Sequence, residues 1–229
     1  MTPKRAVITG ATGLVGRYLT AELAKKPELE TIIALVRKVP DWAGDRSVEG
    51  VEWREIDFSK IAAEAEAAHA DVALSVLGTT QNKAGSREAF AKVDRDYVVA
   101  FADGAQRGGA DQFVLISSVG ADPSSPSFYL KIKGQAERAI QGLGYERLDI
   151  FRPGLLMGSR NEFRLTEEIG KVVSPLLTPL LPGPLSRFRG VDAITVARAM
   201  AAAVDLSNDN GRFVHHNKDI EKAVAPQAS

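Results

Sequence analysis

The chain has 229 residues, of which 45% are apolar and 25% charged, and its formal net charge is zero. This balance is typical of a globular protein with a sizeable core, and it does not point to nucleic acid or an anionic membrane as a partner. The absence of cysteine excludes disulfides, thiolate metal sites and a cysteine nucleophile. We expect a cytoplasmic protein, since we find no signal-peptide pattern and no run approaching the ~18 apolar residues that span a bilayer. We also expect no metal.

Short β-rich runs alternate with helical patterns over the first two thirds of the chain. The patterns predict strands at 5–10, 31–37, 51–57, 71–78, 112–118 and 147–154, and helices at 14–26, 86–109 and 128–144. Apolar runs of strand length between helices indicate a parallel sheet that is covered on both faces. We therefore predict a doubly wound α/β fold of the Rossmann type, with a dinucleotide-binding domain at 1–154.

The pattern loosens after Pro153. A helix is predicted at 162–173, a proline-rich apolar stretch follows at 174–185, and an alanine-rich helix at 192–205 has Asp192 as its candidate N-cap. We predict that residues 155–229 form a small, mainly helical appendage that covers the substrate pocket and packs on the first domain as one structural unit. The last residues, 223–229, are expected to fray.

A glycine-rich turn follows the first predicted strand, in the sequence VITGATGLVGRYL at 7–19. Its three glycines have the spacing G-x-x-G-x-x-G. A plain strand-to-helix turn also uses glycine, but a preceding strand and a following helix are the context of a dinucleotide-binding loop. The helix N-terminus would then offer N–H groups to a pyrophosphate. The predicted cofactor contacts in this turn are Gly10, Thr12, Gly13, Leu14, Val15 and Gly16.

The end of the second predicted strand carries two positive charges, Arg37 and Lys38, and no acid. An acidic residue here binds the ribose 2′-hydroxyl of NAD, whereas an arginine accommodates the 2′-phosphate of NADP. We therefore predict NADP(H) rather than NAD(H), with Arg17 as a weaker candidate for the same phosphate. The alternative is a solvated pair of charges.

Two further strand ends are expected beside the cofactor, because ligands in such sheets lie beyond the carboxyl ends of the strands. Asp57 would reach the adenine edge and Phe58 would flank the ring. Leu77, Gly78 and Thr79 would run along the ribose and pyrophosphate. On the helix predicted at 86–109, Asp94 and Tyr97 share a face and either belong to a solvated charge network or orient the loop at 79–85.

A candidate catalytic set follows the fifth predicted strand. Ser117 and Ser118 end that strand, and Tyr129 and Lys133 lie four residues apart on the next helix, so they share one face. An ammonium beside a phenol favours the phenolate and lowers the tyrosine pKa, which would let Tyr129 exchange a proton with a carbonyl or alcohol oxygen. One of the two serines would bind that oxygen. The alternatives are a capping serine pair and a tyrosine that only packs.

These residues together resemble the short-chain dehydrogenase/reductase superfamily, through the segments TGATGLVG (9–16), LISSVG (115–120), YLKIK (129–133) and FRPG (151–154). The string LGTTQNKAGSREAFAKVDRDYV (77–98), with FRPGLLMG (151–158) and TVARAM (195–200), is similar to the atypical group that includes the human Tat-interacting oxidoreductase. The resemblance implies an NADP(H)-binding Rossmann fold. It also implies that Pro153, Gly154 and Leu155 lie near the nicotinamide, and that Lys133 holds the ribose.

The leading hypothesis is an NADP(H)-dependent oxidoreductase for a small carbonyl or alcohol. Tyr129 is its acid or base, Lys133 its pKa modulator, and Ser117 or Ser118 its oxygen binder. A nucleotide-sugar epimerase or dehydratase uses the same Tyr-x-x-x-Lys pattern, and a non-catalytic NADP(H) sensor that binds proteins is the third hypothesis. A homodimer formed through the helices at 86–109 and 128–144 stays open, as does a protein partner.

Overall fold

The computed structural model describes residues 4–158, 189–204 and 209–225, and it contains a parallel sheet with helices on both faces. The strands are β1 Lys4–Thr9, β2 Leu29–Val36, β3 Val51–Glu55, β4 Val72–Ser75, β5 Gln112–Ile116, β6 Arg147–Phe151, β7 Leu155–Met157, β8 Gly190–Asp192 and β9 Gly211–His215. The helices are α1 Leu14–Leu23, α2 Ile61–Glu66, α3 Gln81–Ala84, α4 Arg87–Ala91, α5 Tyr97–Arg107, α6 Phe128–Gln141, α7 Ala193–Ala203 and α8 Asn217–Val224.

Seven strands form one sheet in the order β3-β2-β1-β4-β5-β6-β9, and every pairing in it is parallel. The strand order reverses at β1, which pairs with β2 on one side and with β4 on the other. Ligands of open α/β sheets bind beyond the carboxyl ends of the strands at this reversal. The predicted doubly wound fold is confirmed, and it fixes where a ligand site belongs.

The sheet is buried on both faces, which explains the apolar runs in its strands. In β2, Ile32 and Ala34 pack in a cluster with residues of α1 and α7, whereas Ile33 and Leu35 pack in a second cluster with residues of α2 and α5. Successive side chains of a strand point to opposite faces, so a strand between two helical layers needs apolar residues at every position.

The long helix predicted at 86–109 is not regular throughout. A π-helical segment, Lys92–Asp96, joins α4 to α5. Such a segment has i→i+5 hydrogen bonds in place of the i→i+4 bonds of an α-helix, and it is frequently found at functional sites. Within it Asp94 is only 1% exposed, whereas Asp96 lies at the surface and pairs with Arg95 at 2.7 Å.

The C-terminal region contributes a strand that the sequence analysis did not predict. β9 pairs with β6 and extends the central sheet, while α7 packs in one cluster with α1. Asp192 occupies the N-cap position of α7 as predicted, but its side chain makes no capping hydrogen bond. Residues 223–224, which were expected to fray, belong to α8. The segments predicted at 162–173 and 174–185 lie outside the described residues.

Candidate functional site

Two adjoining cavities lie at the carboxyl ends of the central strands. The larger one measures about 400 Å³ and extends from the β1–α1 turn past the end of β2 to the loop after β4. The smaller one measures about 100 Å³ and reaches Tyr129 on α6. Because the two cavities share the lining residues Val76, Leu77, Gly78, Thr79 and Thr80, a molecule in the larger cavity would extend to the mouth of the smaller one.

The glycine turn packs backbone against backbone. Gly10 has a φ of +84°, and a Cβ there would lie 2.5 Å from the Leu77 nitrogen. A Cβ at Gly16 would lie 2.0 Å from the Gly10 carbonyl oxygen. Side chains at these two positions would force the turn apart. The predicted contacts divide between the cavities, with Gly10, Thr12 and Gly13 lining the larger, Leu14 and Val15 lining the smaller, and Gly16 supporting the turn from behind.

The N-terminus of α1 is suited to a phosphate group. Its N-cap is Gly13, which lines the larger cavity and has no side chain to accept hydrogen bonds from the first turn. The first turn also contains no acidic residue. The leading N–H groups of a helix need external acceptors, and the helix dipole favours an anion there. The residues present therefore fit the pyrophosphate of a dinucleotide.

The residues predicted to contact the adenosine part of the cofactor agree only in part with the residues that line the larger cavity. Arg37 and Phe58 line it, whereas Lys38 is exposed and does not contribute to its lining. Asp57 is exposed and is not among its lining residues. Its carboxylate accepts hydrogen bonds from the backbone and hydroxyl of Ser59 at 2.9 and 2.6 Å and so caps the turn Phe58–Lys60. The contact of Asp57 with an adenine edge stays a prediction.

Arg17, the weaker candidate for the 2′-phosphate, is held by other groups. Its guanidinium lies over the Trp42 ring, 4.9 Å from the ring centroid, and 3.9 Å from an oxygen of Asp45. Arg37 thus remains the cation that lines the larger cavity on the side of β2.

Tyr129 and Lys133 meet at the smaller cavity, together with a third residue, the acidic Asp94. The Lys133 ammonium lies 2.8 Å from a carboxylate oxygen of Asp94, and both side chains are buried. The other Asp94 oxygen accepts a hydrogen bond from the Thr79 backbone N–H at 2.8 Å. Asp94 therefore orients the loop after β4, which was one of the two readings of its sequence. It also pairs with Lys133, which the sequence analysis missed.

The ion pair with Asp94 changes the acid–base character of Tyr129. Burial raises the pKa of the Tyr129 phenol above its ordinary value and the Asp94 carboxylate adds to the rise, while Lys133 and a hydrogen bond with Ser118 oppose it without outweighing it. Burial by itself would lower the pKa of Lys133, but Asp94 and Tyr129 raise it overall. The expectation of a lowered Tyr129 pKa is therefore wrong, because burial of the phenol, with a further contribution from Asp94, outweighs the effect of the ammonium.

The two serines that end β5 make different contacts. The Ser117 hydroxyl donates to Glu137, a buried carboxylate that also pairs with the Arg152 guanidinium, at 3.0 Å from its Nε. The Ser118 hydroxyl hydrogen-bonds with Tyr129. Ser117 lines the smaller cavity, whereas Ser118 lines neither cavity and reaches the site through its contact with the Tyr129 phenol.

The segment after β6 approaches the site through one residue that the sequence analysis did not single out. The Pro153 carbonyl accepts from the Val119 N–H at 2.9 Å, and the Gly154 N–H donates to Asn217 at 2.8 Å. Leu155 is buried in β7. None of these three lines either cavity, whereas the adjacent Leu156 lines the smaller one.

Comparison with known proteins places the chain in a family. A family model described as NAD(P)H-binding matches residues 10–173, a span that contains the glycine turn, both serines, Tyr129 and Lys133. The chain belongs to this NAD(P)H-binding family. Membership confirms the predicted class of cofactor at the level of NAD(P)H, and the resemblance to the short-chain dehydrogenase/reductase superfamily is confirmed with it.

Named relatives and a solved structure agree with this assignment. The chain is 35% identical to Protein HTATIP2 of Rattus norvegicus over 201 residues, covering 87% of this chain and 81% of that protein. It is 40% identical to Protein FMP52, mitochondrial, of Candida albicans over 162 residues, 68% of each chain. The fold is similar to that of the UDP-Glc/GlcNAc 4-epimerase of Campylobacter jejuni, with a TM-score of 0.66, 14% identity, and coverage of 96% of this chain and 82% of that one.

Four residues of the site escaped the sequence analysis or were only half understood. Thr80, Lys83 and Tyr97 line the larger cavity, and Asp94 lines the smaller one. The signal for Asp94 was an acid between apolar residues of a helix, in AKVDRDYVV, but a regular helical period does not show which of Asp94 and Asp96 is buried.

None of the described helices is long and apolar enough to cross a membrane. No metal-binding cluster of His, Cys, Asp or Glu occurs among the described residues.

Proposed function

We propose that the protein is an NADPH-dependent reductase of a small carbonyl compound. The observation that carries the proposal is that Tyr129 and Lys133 line the smaller cavity, with Ser118 hydrogen-bonded to Tyr129, and that this cavity adjoins the larger cavity of an NAD(P)H-binding protein. A proton donor, a hydrogen-bond donor and a cation around one oxygen are the groups that reduction of a carbonyl requires.

The side chains of this site suit reduction better than oxidation at neutral pH. The bound cofactor supplies a hydride to the carbonyl carbon. Because the pKa of Tyr129 is raised, its phenol is protonated at neutral pH and donates its proton to the carbonyl oxygen. The Ser118 hydroxyl orients that oxygen, and the Lys133 ammonium stabilises the phenolate that remains. The reverse reaction would need a phenolate at the outset, which this environment disfavours.

The preference for NADPH rests on Arg37. It is exposed at the end of β2 and lines the larger cavity, where the ribose 2′-position of a dinucleotide is bound in this fold. A guanidinium forms paired, charge-assisted hydrogen bonds with phosphate, and NADH has no phosphate at that position.

The size of the smaller cavity favours a small substrate. About 100 Å³ accommodates an aldehyde or ketone of a few carbon atoms next to the cofactor. A nucleotide sugar is much larger, but the fold similarity to the 4-epimerase of Campylobacter jejuni makes an epimerase the second candidate.

One experiment separates these functions. The protein is incubated with NADPH and a panel of aldehydes and ketones, and in parallel with NAD⁺ and UDP-glucose, and the products are identified by NMR. We expect loss of the near-ultraviolet absorbance of NADPH together with formation of the alcohol. Interconversion of the nucleotide sugar without net cofactor consumption would instead establish an epimerase. Cofactor binding with no product in either arm would favour a sensor.

A further inference from the structure

Asp94 is the buried charge that links the two cavities. It lies in the π-helical segment Lys92–Asp96, is 1% exposed, and has one carboxylate oxygen 2.8 Å from the Lys133 ammonium and the other 2.8 Å from the Thr79 nitrogen. Gly78 leaves room for it, because a Cβ there would lie 3.3 Å from an Asp94 oxygen. One side chain thus contacts both the loop that lines the larger cavity and the lysine beside Tyr129.

Stability alone does not account for this ion pair. Removing two charges from water costs about as much as their attraction returns, and apolar residues of similar volume often serve a fold equally well. A buried pair that touches a candidate proton donor is more informative, because perturbed ionisable groups in clefts concentrate at functional sites.

We propose that Asp94 is a positioning residue whose carboxylate holds the Lys133 ammonium against the Thr79 loop and counters the effect of that ammonium on the Tyr129 proton. The inference rests on the proposed function, in which Tyr129 is the proton donor. It adds a residue that determines at which pH the donor works.

The charges around Tyr129 give the direction of the effect. Among the described residues, α6 contributes Lys133 and Glu137, and the π-helical segment contributes Asp94. Glu137 is paired with Arg152, which follows β6, so its charge is largely offset. Burial and Asp94 raise the pKa of Tyr129, whereas Lys133 lowers it. Without the Asp94 charge, burial still raises the pKa of Tyr129 but one of the two opposing contributions to the field of the ammonium is gone, so Tyr129 should lose its proton at lower pH than in the wild type.

The substitution Asp94→Asn removes the charge and keeps an oxygen that can accept from Thr79. The matched control is Asp96→Asn, which makes the same change at the exposed position two residues later. The chain has four tyrosines, so protein labelled at tyrosine Cζ with ¹³C gives few signals, and Tyr129→Phe identifies the one that belongs to Tyr129. The Cζ shift of that signal is followed against pH, with circular dichroism as the check on folding.

We expect the Tyr129 titration to move to lower pH in Asp94→Asn and to stay in place in Asp96→Asn. If the wild type and Asp94→Asn both reduce a carbonyl substrate, the reduction rate of Asp94→Asn should begin to fall at correspondingly lower pH. The fall should be about tenfold per pH unit above the Tyr129 pKa of the variant. A Tyr129 titration that is unchanged, or that moves to higher pH, would overturn the proposal.

Failure of this inference and failure of the proposed function give different results. The titration needs no turnover, so a shifted titration in a protein that reduces no carbonyl leaves the role of Asp94 intact and removes the function. An unshifted titration in an active reductase leaves the proposed function intact and refutes the role of Asp94. If Asp94→Asn does not fold, Asp94→Ser removes the same charge with a smaller side chain and is judged by the same criterion. If neither folds, Asp94 is a structural residue and the proposal is wrong.

Discussion

Replacing Gly16 by alanine tests whether the glycine turn is as closely packed as the structure shows. The added Cβ would lie 2.0 Å from the Gly10 carbonyl oxygen, and since such contacts stay above 3.0 Å the backbone would have to move by about 1 Å. Overpacking costs about 1–3 kcal/mol where side chains can yield. Here the opposing atom belongs to the backbone of a turn that Gly10 packs against the end of β4, so we expect a loss near 3 kcal/mol of unfolding free energy.

The assay compares urea denaturation and NADPH binding for Gly16→Ala and for the control Gly44→Ala. A Cβ at Gly44 would meet nothing within 4 Å, so that variant should unfold within about 0.5 kcal/mol of the wild type and bind NADPH equally well. Gly16→Ala should bind NADPH at least about tenfold more weakly, which corresponds to about 1.4 kcal/mol, because the turn that faces the pyrophosphate is displaced. Equal stability and equal affinity for Gly16→Ala and Gly44→Ala would refute the close packing and its role in binding.

Four further substitutions test three separate parts of the account. Arg37→Ser should weaken NADPH binding about tenfold or more and leave NADH binding nearly unchanged, as measured by calorimetry. Equal losses of affinity for both cofactors would show that Arg37 does not bind the 2′-phosphate. Ser118→Ala should lower turnover at least about tenfold with little change in stability. Ser117→Ala should instead cost about 1 kcal/mol of stability and leave turnover largely intact. The opposite pattern would mean that Ser117 binds the substrate oxygen and Ser118 stabilises the fold. Asp149→Asn should cost about 3 kcal/mol at pH 7 by urea denaturation. Burial raises the pKa of Asp149, but hydrogen bonds with His215, Arg147 and Gln112 outweigh it and hold that pKa below its usual range. The stabilisation from Asp149 is therefore present above about pH 4 and lost as the pH falls through the lowered pKa, and a difference between variant and wild type that persists undiminished at pH 2 would contradict this.

The sequence predicted most of the fold because the sheet is buried on both faces. From Ile32 to Val36, β2 is buried and apolar at every position, and that pattern is visible without coordinates. β9 escaped because it lies at the edge of the sheet and is largely exposed, so GRFVH carries no continuous apolar run. An edge strand is specified by its partner β6 more than by its own residues.

The candidate site was predictable where local geometry dictates residue type and not where distant segments meet. Gly10 and Gly16 indicate a tight turn. Tyr129 and Lys133 are four residues apart on a helix and therefore share one of its faces. The Asp94–Lys133 pair joins residues 39 positions apart through a π-helical segment that shifts the helical phase, so periodicity could not foresee it. The direction of the Tyr129 pKa shift was predicted wrongly because the sequence shows neither the burial of the phenol, which is the main cause of the rise, nor the nearby Asp94 carboxylate.

The replacement Tyr129→Phe tests the central claim most directly, that the Tyr129 hydroxyl donates the proton in a reduction by NADPH. It should be measured on protein whose NADPH affinity is determined in the same preparation. We predict that the variant folds, binds NADPH as the wild type does, and reduces the carbonyl substrate about 10²–10⁴-fold more slowly. Turnover that is unchanged in Tyr129→Phe at full cofactor occupancy would contradict the account.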